Sequence, residues 1–174
     1  MVQLREKEME AGLILKYAET VRARTSEFNA LFIVNDRVDL AIAAGADGVH
    51  LGQDDLPVKV ARPQLGSDLL IGLSTHSHDQ IEASGSASAD YIGIGPIHPT
   101  PTKPGRSPVG YKLITHASQS SPLPFFAIGG IDLTNIKEVI EAGARRVSVL
   151  RALTEAEDPA AIARKLKKAL ESAQ

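Results

Sequence analysis

The sequence contains no cysteine, which excludes a disulfide framework and any thiolate metal site. It has almost no charge imbalance either: 19 Lys and Arg stand against 21 Asp and Glu, for a formal net charge of −2. Nothing in that balance points to nucleic acid or to an acidic membrane surface as a partner. No apolar run approaches the roughly 18 residues that a membrane span needs. The opening MVQLREKEMEAG carries charges where a signal peptide has its apolar region. A Gly-x-Gly-x-x-Gly fingerprint, a P-loop and a serine elbow are all missing, so dinucleotide, P-loop and nucleophilic-hydrolase chemistry fall away. No linker or low-complexity tract divides the chain. One cytoplasmic domain over residues 1–174 is the expectation, long enough to bury about 70% of its unfolded surface.

What is present is an alternation. Short apolar, β-branched runs recur at Val2–Leu4, Leu31–Val34, Gly48–Leu51, Leu69–Leu73, Tyr91–Ile94, Pro124–Ile128 and Val147–Leu150. Between them lie segments of helical spacing, among them Met9–Arg24, Val38–Ala44, Gln80–Ser88, Asn135–Ala142 and Pro159–Ala173. In the last, Ile162, Leu166 and Leu170 repeat every four residues with Lys and Arg filling the gaps, which reads as an amphipathic helix with a solvated face. Apolar strands between helices are what a parallel sheet buried on both faces requires. Seven strands and about seven helices suit a TIM-type (β/α) barrel short of one βα unit, or a large doubly wound sheet. Gly45 and Gly143 each sit where a helix meets a strand and read as left-handed C-cap glycines, a weak internal repeat that favours the barrel.

In such barrels the chemistry gathers at the carboxyl ends of the strands, and every strand here ends in polar or glycine residues. Arg5 and Lys7 offer a planar fork and a point charge suited to a phosphate; the competing reading is a solvated Arg-Glu-Lys-Glu loop. Asp36 and Asp55 follow different strands. One or two carboxylates completed by phosphate oxygens and water is how Mg²⁺ is usually held. A helix cap is the plainer role for either, and Asp36 precedes a helical segment. Pro-Thr-Pro-Thr-Lys-Pro-Gly after the fifth strand is either a ligand clamp or a proline-rich surface loop, since its prolines forbid continued helix or sheet. Gly129-Gly130 after the sixth strand can bring backbone N–H groups close to a phosphate, and the helix after it adds its N-terminal donors. His50, His76, His78, His98 and His116 lack metal-ligand spacing and read as core or surface residues.

Taken together, QLREK (Gln3–Lys7), FIVNDRVDLA (Phe32–Ala41), GADGVHLGQDDLP (Gly45–Pro57), IGLSTH (Ile71–His76), ADYIGIGPIHPTPTKP (Ala89–Pro104) and AIGGI (Ala127–Ile131) resemble the thiamine-phosphate synthase family, in order and spacing, over nearly the whole chain. The resemblance implies an α/β barrel that couples a hydroxymethylpyrimidine diphosphate to a thiazole phosphate, releasing pyrophosphate. It places Gln3, Arg5, Lys7 and Asn35 at the pyrimidine diphosphate, and Asp36 and Asp55 on Mg²⁺. Ser74 and Lys103 fall near the diphosphate, as the residues closest to the chemistry. Thr100, Thr102, Gly130, Leu150 and Arg151 fall on the thiazole phosphate side. Leu150–Arg151 departs from the aliphatic–serine pair common in the family.

By this resemblance the match starts at the family's second strand, so a first strand and helix are expected to be missing. An open edge would then call for a second copy or a partner strand. Two other functions share the pattern. Thiazole tautomerase relatives lack the complete Mg²⁺ and pyrophosphate set and use a histidine near the fourth strand end; here Ser74 stands at the family's serine position, with Asp36, Asp55 and Thr102–Lys103 intact, which favours the synthase. A non-catalytic phosphate-binding barrel would keep affinity without turnover.

Overall fold

The structure is a computed structural model that describes residues 1–101, 105 and 107–172. Among these residues, parallel strands alternate with helices until two helices follow the last strand, and the chain divides into two compact units.

The first unit comprises Met1–Ser74 and Ser86–Tyr91. Its strands β1 (Val2–Leu4), β2 (Phe32–Asn35), β3 (Gly48–Leu51) and β4 (Leu70–Thr75, whose last residue belongs to the second unit) pair in chain order. Val2 lies against Phe32, Ile33 against Gly48, and Gly48 against Leu70. Helices α1 (Ala11–Glu27), α2 (Val38–Ala43) and α3 (Val58–Leu65) alternate with them. Ile14, Ala18 and Thr25 form the buried face of α1, at the four- and seven-residue spacing that one helix face demands. Ile14 and Ala18 pack in one core with Phe32, Val34, Val49, Leu51 and Ile71.

Two matching devices fasten the starts of these strands. Asp47, just ahead of β3, accepts the Phe32 N–H at 2.6 Å and Arg22 of α1 at 2.9 Å through the same oxygen. Asp90 accepts the Ile71 N–H at 2.7 Å and Arg62 of α3 at 2.6 Å in the same way. The Asp47 carboxylate satisfies the first amide of β2 and the Asp90 carboxylate the second amide of β4, each of which would otherwise be an orphan donor.

The second unit comprises Thr75–Gly85 and Ile92–Gln174. Strand β5 (Tyr91–Ile94) opens with Tyr91 of the first unit; within the second, its remaining residues pair in parallel with β6 (Phe125–Ile128) and that with β7 (Val147–Ser148), with Ile92 against Phe125 and Ala127 against Val147. Its helices are α4 (His78–Ala83, followed by a 3₁₀ turn at Ser84–Ser86), α5 (Gly110–Ser120), α6 (Ile136–Glu141), α7 (Arg151–Thr154) and α8 (Pro159–Glu171). The Asp158 carboxylate accepts the Ala161 N–H at 2.8 Å and, with Pro159 in the first turn, starts α8. Gly143 follows α6 at φ +112°, and Gly45 follows α2 at φ +59°, so both end their helices in the left-handed region as expected.

Several boundaries depart from the apolar runs. β4 continues through Ser74 and Thr75, which are strand residues rather than residues beyond its end. β7 stops at Ser148, and Leu150 and Arg151 start the short helix α7 instead of closing a strand. The helix expected from Gln80 begins two residues earlier, at His78, where the Ser77 hydroxyl accepts the Gln80 N–H. Helices α3 and α5 have no counterpart among the periodic segments above. Pro63 lies inside α3, yet Val58, Ala61 and Leu65 still share a buried face.

Candidate active site

In the first unit, three of the sequence-predicted residues, Lys7, Asp36 and Asp55, come together. Asp36 directly follows β2 at φ +62°, a left-handed conformation that Asp tolerates better than most residues. Its N–H is held by the His50 carbonyl at 2.8 Å. It does not cap α2: Arg37 occupies that position, and no side-chain cap bond forms. The Asp36 carboxylate instead takes the Lys7 ammonium at 2.8 Å.

Asp55 turns back on its own loop and accepts the Gly52 N–H at 2.6 Å. A Cβ on Gly52 would meet that carboxylate oxygen at 2.8 Å, so glycine is what lets the amide come so close. Burial pushes the Asp55 carboxyl above the usual carboxylate range, and the neighbouring Asp36 carboxylate adds to it, while Lys7 opposes.

The rest of this half is ordered by hydrogen bonds. Asn35 is buried at the end of β2. Gln53 donates to the Ser74 carbonyl at 2.6 Å. His50 spans Ser74 Oγ (3.0 Å, Nε2) and the Tyr91 hydroxyl (3.2 Å, Nδ1). Tyr91 has its ionisation pushed far up by burial, so its hydroxyl stays a donor. A side chain on Gly72 would collide with both the Tyr91 ring and His50. His50 thus fixes the Ser74 hydroxyl, a role that a lone imidazole in an apolar strand does not announce. The motif Gly48-Val-His-Leu51 carried the only signal of it.

Gln3 and Arg5 are exposed, on β1 and just after it. The loop that follows is tied by Glu6, which accepts the Lys7 and Glu8 N–H groups at 2.7 and 2.9 Å. The solvated-loop reading therefore holds for Glu6, whereas Lys7 reaches Asp36.

In the second unit, Gly129 and Gly130 follow β6 at φ +101° and +63°. The Asn135 side chain braces this turn, donating to the Gly130 carbonyl at 2.8 Å and accepting the Asp132 N–H at 3.0 Å. Helix α6 starts only at Ile136, so the Asp132–Asn135 turn separates Gly130 from it; the expected helix donors are not adjacent to the glycines. Thr100 lies in the segment after β5 and is half-buried. Thr102 and Lys103 lie outside the described residues. Arg151 is paired with Glu155 one turn along α7, at 2.7 and 2.9 Å, and Leu150 is exposed.

No group of three or more His, Asp or Glu side chains disposed to hold a metal occurs among the described residues. The pair Asp36–Asp55 nonetheless fits Mg²⁺. Burial first, and the neighbouring Asp36 carboxylate second, raise the Asp55 carboxyl, so the two residues offer neighbouring carboxylate oxygens of the kind a hard cation takes. Mg²⁺ also takes one or two carboxylates and completes its shell with water and substrate phosphate.

Parallel strands alternating with helices as far as β7 define an α/β protein. Residues 1–153 match the family described as thiamine monophosphate synthase, and the chain belongs to that family. It is similar to the thiamine-phosphate synthase of Gloeobacter violaceus, 54% identical over 159 residues, which are 91% of this chain and 47% of that protein. The thiamine-phosphate synthase of Acidothermus cellulolyticus is 52% identical over 162 residues, 92% of this chain and 76% of its own. The solved structure of thiamine phosphate pyrophosphorylase from Pyrococcus furiosus superposes with a TM-score of 0.89 at 34% identity, over 98% of this chain and 82% of that one. Measured against the Gloeobacter protein, the chain spans about half of its relative's length.

Proposed function

We propose that the chain is a thiamine-phosphate synthase. It would join a hydroxymethylpyrimidine diphosphate to a thiazole phosphate and release pyrophosphate. The observation that carries this is the Lys7–Asp36–Asp55 cluster, in which a cation and two crowded carboxylates stand at the positions that the family resemblance assigns to the diphosphate and its metal.

Lys7 and Arg5 bind the diphosphate as cations, with Asn35 as a neutral donor beside them. The C–O bond between the pyrimidine methylene and the diphosphate breaks, the electron pair leaving with pyrophosphate, and the thiazole nitrogen supplies the pair for the new C–N bond. Asp36 and Asp55 would hold Mg²⁺, which when bound neutralises charge on the departing diphosphate. Ser74, fixed by His50 and Gln53, orients the diphosphate. Lys103 adds positive charge there by the family pattern. Gly130, Thr100, Thr102, Leu150 and Arg151 belong to the thiazole phosphate side of the same proposal.

Ser74 at the family's serine position, with Asp36, Asp55 and Thr102–Lys103 present in the sequence, supports synthase over tautomerase chemistry. A TIM-type barrel is the finer architecture supported by the strand–helix alternation. The test is product identification: the purified chain, given both substrates and Mg²⁺, forms thiamine phosphate, and chelation stops it. Formation of no coupled product under saturating substrates would overturn the proposal.

A further inference from the structure

The loop after β5 and the glycine turn after β6 are locked together through His98. Its N–H donates to the Gly129 carbonyl at 3.0 Å. A Cβ on Gly130 would meet the His98 Cβ at 2.7 Å and the Pro99 carbonyl at 2.9 Å. The His98 side chain therefore starts directly against the bare face of Gly130. From there its Nε2 reaches the Tyr111 hydroxyl of α5 at 3.2 Å, with the two rings edge to face at 5.3 Å.

Asp132, two residues past Gly130, is held below the usual carboxylate range, chiefly by the Thr134 hydroxyl and N–H and also by the charge of His98. An ionised carboxylate this close to Gly130 opposes any anion brought to the turn unless a cation stands beside it. Among the described residues, the titratable groups around the imidazole are Tyr111 from α5, Asp132 from the β6–α6 turn, and Glu138 of α6, which acts on Tyr111. Burial and Glu138 keep the Tyr111 phenol protonated, so its oxygen can accept from an imidazolium as readily as its O–H can donate to a neutral ring.

We propose that His98, hydrogen-bonded to Tyr111 and seated against Gly130, is a proton-bearing wall of the Gly129–Gly130 turn. A phosphate monoester bound there draws a proton onto His98, and His98 thereby favours the doubly charged phosphate. This rests on the reading of the turn as the thiazole phosphate site and names the residue that sets its charge preference. The imidazolium offsets Asp132 and attracts the phosphate, and by linkage the bound phosphate holds the proton on the imidazole.

The experiment uses the thiazole phosphate as probe, on the whole chain, in calorimetry with buffers of different ionisation enthalpy at about pH 7. The wild type takes up more proton per ligand bound than His98→Gln does. Between about pH 6 and about pH 8 the wild type also loses roughly tenfold more affinity than the variant, a difference that cancels the ligand's own ionisation near pH 6. Imidazole nitrogen signals of His98 in the wild type, which need no variant, move to the protonated position when the phosphate is added. The Gly130 amide signal reports binding at the turn independently. A Gly130 shift with an unmoved His98 and equal proton uptake overturns this inference and leaves the site reading standing. No Gly130 shift at saturating ligand overturns both.

Discussion

Asp36 is the residue on which the candidate site turns, because its backbone and its charge make separate demands. At φ +62° it needs a side chain that tolerates the left-handed region, and Asn does so as well as Asp. Asp36→Asn therefore removes charge and leaves the turn intact. Together with Asp55→Asn, it is expected to lower turnover by about 10²–10³-fold at ordinary Mg²⁺, the scale on which loss of a transition-state electrostatic contact is felt. Steady-state kinetics with circular dichroism as a fold control check this; normal turnover in both variants would remove the metal assignment. The acidic and basic residues themselves were legible in the sequence, since Lys7, Asp36 and Asp55 all close strands or follow them. Their arrangement was not. Nothing local says that Lys7 reaches Asp36 rather than Glu6 or Glu8, or that Asp36 leaves α2 uncapped, because both depend on the pairing of β1 with β2. His50 was passed over for a related reason: its partners Ser74 and Tyr91 are 24 and 41 residues away.

At the scale of the element, the paired devices Arg22–Asp47 and Arg62–Asp90 carry more than their ion pairs. Side chains about one-third exposed make the Coulombic part small. The larger part is the acceptor each carboxylate gives to an amide at the start of a strand. Asp47→Ala leaves the Phe32 N–H without it, at an expected cost of about 1–3 kcal/mol, and Asp90→Ala does the same at Ile71. Denaturant unfolding checks this. A double-mutant cycle between Arg22 and Asp47 should return under about 1 kcal/mol, and a larger coupling would show that the ion pair dominates.

The turn at Asp132 gives a pH dependence of definite sign. Its folded-state carboxyl is held down, first by the Thr134 hydroxyl. It therefore contributes stability above the ordinary aspartate value near 3.9 and loses it as pH falls through the lower folded value. Thr134→Val should be less stable than the parent at neutral pH, with the gap closing in acid below about pH 4. A gap independent of pH would assign the loss to packing. Element positions were mostly legible, because apolar runs and helical spacing mark them. Their ends were not: β4 runs on through Ser74 and Thr75, and α7 begins where apolar residues continued. In each case pairing or capping by distant residues decides the boundary.

For the whole molecule, parallel α/β alternation was readable from composition and spacing, because strands buried on both faces must be apolar throughout. The organisation into two compact units was not, since it depends on which helices pack on which strands. Under the proposed function, the acidic pair would serve the diphosphate through Mg²⁺ and the glycine turn the thiazole phosphate. The most direct measurement is pyrophosphate release by the 174-residue chain from both substrates together, as a function of Mg²⁺, beside Asp55→Asn. Release that requires both substrates, rises with Mg²⁺ and is lost in Asp55→Asn is the expected result. Absence of release at any Mg²⁺ concentration, or release indifferent to Mg²⁺ and to Asp55, would contradict the account.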